Sequence, residues 1–238
     1  MTATVIDDTP ARPAEDSAPA NPGLDQARKF ASDYADRIRQ SATERLSELG
    51  SHANGSSGAV QARIGEPTVG QYVAFDVAAT SPLQFTGLPP YQPSKVIAAG
   101  EGAYLHVYAW VNPAASIADG FAVPPTVQLG GRQWRITLDL LNITDGTRKK
   151  LAATGTYGPV AFSLTVATFP LPTPDPGPDA AVYEANVTLD IVDPAQPYAA
   201  FATSFYDYDS DPGFMFVPPA DPPGWRHELP NRYLVYSK

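Results

Sequence analysis

The chain has 238 residues, with 16 basic and 25 acidic side chains and a net charge of −9. The deficit lies in one place: between Lys150 and Arg226 run 75 residues with nine acids and no Lys or Arg. That stretch cannot neutralise phosphate, which argues against nucleic acid and against an anionic membrane surface as its partners.

Hydrophobic residues make up 43%, and 10 Phe, 12 Tyr and 3 Trp give enough apolar bulk for a packed core. The 26 prolines are roughly twice ordinary usage and favour short strands with stiff connections. With no cysteine, disulfides, thiolate metal sites and cysteine nucleophiles are all excluded. The first residues show neither a basic start nor an apolar run, so no secretory signal is expected. The expected location is the cytoplasm or a larger particle. No stretch approaches 18 apolar residues, so no membrane span is expected either.

Residues 1–23, rich in Ala, Pro, Asp and Thr without periodicity, are expected to form a disordered tail. From 24 to 50 the texture changes. Leu24, Ala27, Ala31, Tyr34, Ile38, Ala42, Leu46 and Leu49 recur every three or four residues, which predicts an amphipathic helix. Pro22-Gly23 punctuates its start and Gly50 suits its end. The stripe is narrow and alanine-rich. It suits packing on the chain's own domain, or an anchor on a partner through Leu24, Ala31, Tyr34, Ile38 and Leu46. The Gly/Ser-rich stretch within 51–66 reads as a flexible linker, which tilts the reading toward an anchor.

Residues 67–238 alternate with a period of two. In 103–111, Leu105, Val107, Ala109 and Val111 share one face; Tyr104, His106, Tyr108 and Trp110 share the other. Trp134, Ile136, Leu138 and Leu140 form another apolar face, and further runs end at Val166, Ile191 and Tyr236. Gly130-Gly131 and Asp145-Gly146 supply turns that tolerate positive φ. Seven or more strands without a following helix predict a mainly-β fold, an antiparallel sandwich, Ig-like or jelly-roll-like. Prolines at 170, 172, 174, 176 and 178 predict a stiff extended loop between two strands.

Chemistry-bearing motifs are few. Asp207, Asp209 and Asp211 crowd three carboxylates, an arrangement that suits hydration or a calcium ion. The run resembles the opening of a helix-loop-helix calcium site. However, Gly213 stands one place late, and Pro218 occupies the position of the bidentate acid. The three histidines, His52, His106 and His227, have no partner at metal-ligand spacing. There is no nucleophile elbow, phosphate loop or dinucleotide fingerprint. Phe214, Phe216 and Trp225 lie in a proline-rich stretch whose composition resembles that of interface hot spots. The leading expectation is a non-enzymatic structural or assembly protein that binds a protein partner or itself, without a cofactor. The alternatives are a calcium-assisted carbohydrate-binding or adhesive module, and an enzyme of unrecognised type.

Overall fold

The computed structural model describes residues 4–7, 23–53, 75–85, 95–111, 129–158, 163–191, 198–201, 203–205 and 230–238. Two β-sheets stack face to face, and one helix lies on the outside of the second sheet. The arrangement is an open sandwich rather than a closed barrel.

The first sheet is built around β9 (Ala181–Ile191), whose period-two pattern buries every odd residue. Along one edge β9 pairs with β6 (Gln133–Asn142), which continues into β7 (Arg148–Thr156) and β1 (Thr4–Asp7). Two strands share its other edge end to end. β12 (Asn231–Tyr236) covers Ala181–Ala185 and β10 (Tyr198–Phe201) covers Thr188–Ile191. β4 (Val96–Ala98) completes this sheet beside β12.

The second sheet is built around β5 (Ala103–Val111). One edge pairs with β8 (Leu164–Leu171), and the other is divided between β2 (Phe75–Thr80) and β3 (Leu83–Gln84). β11 (Thr203–Phe205) lies outside β2. The break between β2 and β3 falls at Ser81-Pro82, where proline lacks the N–H a continuous ladder would need. The side chain of Thr80 fills part of that gap, its Oγ1 accepting the His106 N–H at 3.0 Å. The Thr80 carbonyl in turn accepts Asn231 Nδ2 at 2.7 Å, a polar tie between the two sheets.

The pairing departs from the wholly antiparallel expectation at two places. β11 runs parallel to β2 and β12 runs parallel to β4. Both contacts are three residue pairs long and join segments far apart in sequence, as parallel neighbours must be.

The main core lies between the sheets, where Val107, Ala109, Ile136, Leu138, Phe169 and Leu189 are among the residues buried. Its lining is largely aliphatic. Tyr183 and Tyr233, directly opposite each other on β9 and β12, stack with ring centroids 5.0 Å apart. At Gly155 the missing Cβ has a purpose, because the ring of Trp134 on the neighbouring strand occupies the space one would need.

The two expected turns form. In the β6–β7 connection Gly146 has φ 77°, and Asp145 Oδ1 accepts the Thr147 N–H at 2.8 Å. Gly131 has φ 78° and donates its N–H to the Tyr157 carbonyl. The proline run needs one correction. Pro170, expected in a loop, belongs to β8 opposite Tyr104. It is tolerated because β8 lies at the edge of the described sheet, where an N–H on the outer side has no ladder to serve. The rest of the run links the two sheets and is tied to its own chain. Thr173 bonds Gly100 and Glu101, and the Ser237 hydroxyl donates to Asp175.

Candidate interaction surface

α1 (Leu24–Ala53) lies across β5 and β8 on the outer face of the second sheet. Its start is tightly fitted, since Gly23 has φ 86° and a Cβ there would stand 3.3 Å from Phe85 Cβ. The sequence stripe is the contact. Ala27, Ala31, Tyr34, Ala35 and Ile38 are buried against Ala78, Leu83, Phe85, Tyr104, Tyr108, Trp110 and Leu164. Alanines let the helix approach closely, while Tyr34 meets Tyr108 edge-on at 5.2 Å. Polar contacts tie helix to sheet: Arg39 of the helix donates to the Leu164 carbonyl, and Tyr108 Oη of the sheet donates to the Ala31 carbonyl. Because this helix covers its outer face, β5 is buried on both sides, against the one-sided alternation expected.

His106 lies in the middle of this contact. Phe30 of α1 stacks on its ring at 5.9 Å, and Phe85 meets it edge-on at 6.0 Å. Its Nδ1 pairs with Thr168 Oγ1 at 3.1 Å, while Nε2 is buried with no partner among the described residues. Burial pushes the imidazole down to about 3, because it strips the charged form of its hydration and no described charge compensates. Burial also raises Tyr108 well above the usual phenol range, with Tyr34 adding to the effect.

The opposite side of the molecule is the outer face of the first sheet. Much of it is an open lattice of charge pairs: Arg135–Asp190, Lys150–Asp139 and Arg232–Glu184. One end differs. The large hydrophobic side chains exposed among the described residues are Val96 at 56%, Ile143 at 47% and Tyr236 at 40%. The strand register brings them together. Leu234 stands opposite Val96 on β4 and opposite Val182 on β9, and Tyr236 follows two residues along on the same face. Ile143 joins from the β6–β7 turn, where its N–H bonds the Val182 carbonyl. The result is a contiguous apolar end on a charged face, rimmed by the Arg232–Glu184 pair.

The sequence-based site residues fare differently. Leu24, Ala31, Tyr34 and Ile38 come together, but against the chain's own sheet. Leu46 lies in α1 with its side chain outside the described residues. Asp207, Asp209, Asp211, Phe214, Phe216 and Trp225 also lie outside them. Among the described residues, no group of three His, Cys, Asp or Glu could hold a metal ion. No described helix is long and apolar enough to cross a membrane. The patch of Val96, Ile143, Val182, Leu234 and Tyr236 was not picked out from the sequence. Its signal was present in residues 233–236, where apolar side chains point to both faces of one strand. The chain matches no protein-family model, and no curated protein is significantly similar to it in sequence.

Proposed function

We propose that this chain is a non-enzymatic structural or assembly protein whose sandwich associates through the apolar end of the first sheet's outer face. The observation that carries this reading is the convergence of Val96, Ile143 and Tyr236 on one patch around Leu234 and Val182. Scattered single hydrophobics are ordinary on a surface; a contiguous group on an otherwise charged face marks a contact. With Ala31, Tyr34 and Ile38 covered by the chain's own sheet, this patch rather than α1 takes the role of docking surface.

A second copy of the chain is the partner the patch suits. Its rim carries both charge signs side by side in Arg232 and Glu184, so a two-fold arrangement lets each copy's cation meet the other's carboxylate. Light scattering across a concentration series, with the full chain and an Ile143→Lys, Val96→Asp double variant, tests this. The full chain is expected to self-associate and the variant to stay monomeric with an unchanged melting temperature. A full chain that stays monomeric at every concentration overturns self-association. If both chains associate equally, the patch is not the contact.

A further inference from the structure

We propose that α1 is an acid-released latch, in which protonation of His106 drives the helix off the second sheet and bares the aromatic face beneath it. This rests on the helix–sheet contact alone and is independent of the patch on the opposite sheet.

The geometry makes α1 the separable layer. Every described strand is held by a backbone ladder, whereas the helix meets the sheet through side-chain packing and side-chain-to-carbonyl bonds such as those of Arg39 and Tyr108. Much of its buried stripe is alanine, which contributes little apolar area per residue. Removing α1 breaks no strand pairing, since β5 keeps β2, β3 and β8.

His106 stands where that separation is decided. The described residues around its ring are apolar or neutral. From α1 comes Phe30, from the segment after β3 comes Phe85, from β8 comes the Thr168 hydroxyl, and along β5 lie the phenols Tyr104 and Tyr108. The charged groups of α1 act elsewhere: Asp25 and Arg28 on Tyr104, Arg37 over the ring of Tyr34. No described carboxylate or cation contributes to the His106 equilibrium, so an imidazolium there would be buried unpaired. In the imidazolium both ring nitrogens are donors, and Nε2 has no acceptor among the described residues.

The sign follows from linkage. With α1 docked, the imidazole titrates at about 3; released into water, it returns to about 6.5. Below about 6.5 the undocked state therefore takes up a proton that the docked state refuses, and docking weakens steadily as pH falls towards 3. Between pH 7 and 5 the docking equilibrium shifts by about 25-fold, and between pH 7 and 4 by about 200-fold. Above pH 7 it is flat.

Amide hydrogen exchange of the full chain from pH 7 to 4.5, corrected for the intrinsic pH dependence of exchange, reads this directly. The opening constant of α1 is expected to rise about 25-fold by pH 5, while amides of β6 and β9 keep their protection. A His106→Phe chain, apolar and of similar shape, is expected to lose the pH dependence of α1. Should that variant fail to fold, the imidazole resonances of the unaltered chain decide. Protonation must then coincide with the loss of α1 protection. The proposal is overturned if His106 titrates near 6.5 with α1 still protected, if α1 and the strands open together, or if His106→Phe retains the same pH profile.

Discussion

The second sheet is covered on both faces, and the two covers are made differently. Against the first sheet it meets a largely aliphatic layer of Val, Leu, Ile and Ala in register across paired strands. Against α1 the contact is aromatic: Phe85, Tyr104, His106, Tyr108 and Trp110 on the sheet side meet Phe30, Tyr34 and the alanines of the helix. The strands that form the inner contact are each held by backbone ladders within their own sheet. The helix over the outer contact is held by ring edges and side-chain bonds. Burial is equally complete in both, so burial alone does not tell which layer yields first. What differs is whether the covering layer is itself tied by ladders between its elements and whether a titratable ring is trapped in the contact.

Substitutions of matched kind in the two layers sharpen that difference. Leu138→Ala, in the middle of the inner layer, is expected to cost about 2–5 kcal/mol and to lower the global melting temperature. Denaturant unfolding followed by tryptophan fluorescence measures it. Gly155→Ala drives a methyl into the ring of Trp134 and is expected to cost about 1–3 kcal/mol, again globally. A stability equal to the parent chain would mean that the indole can move aside. Ile38→Ala removes comparable apolar volume from the outer layer. Its effect is expected first in α1, as lost exchange protection there, with a global cost below about 2 kcal/mol because the helix can lift instead of leaving a cavity. If Ile38→Ala lowered strand protection as much as Leu138→Ala does, the two layers would be one cooperative unit. Lys150→Ala, which breaks an exposed pair with Asp139 on the charged outer face, is expected to change stability by at most about 1 kcal/mol.

The strands were legible because alternation and its burial coincide. Leu105, Val107, Ala109 and Val111 read as one face and line the inner core; Tyr104, His106, Tyr108 and Trp110 read as the other. The helix and its stripe were equally plain from the spacing of Ala27, Ala31, Tyr34 and Ile38. What the sequence left open was where the stripe goes. A linker suggested detachment, yet composition reports how freely a tether moves, not where the helix it holds comes to rest. The clue was the second face of β5. Tyr104, Tyr108 and Trp110 on alternate residues are too apolar for a solvent face, and a strand apolar on both sides needs two covers. The apolar patch was hidden for another reason. Val96, Val182 and Leu234 lie on three different strands and meet only through register, which no local pattern encodes.

The divided edge of β9 has a consequence for the order of folding. Residues 181–185 of that strand wait for β12, which follows some 40 residues later, while residues 188–191 are closed by the nearby β10. A chain leaving the ribosome can therefore complete the helical layer, the β6–β7 hairpin and the outer half of β9 early. Half an edge then remains open beside Tyr183 until Tyr233 arrives to stack on it. The parallel contact between β12 and β4 spans an even longer loop, so first-sheet closure is a step of high contact order. During that interval the unpaired stretch of β9 is an adhesive edge, open to pairing with another chain.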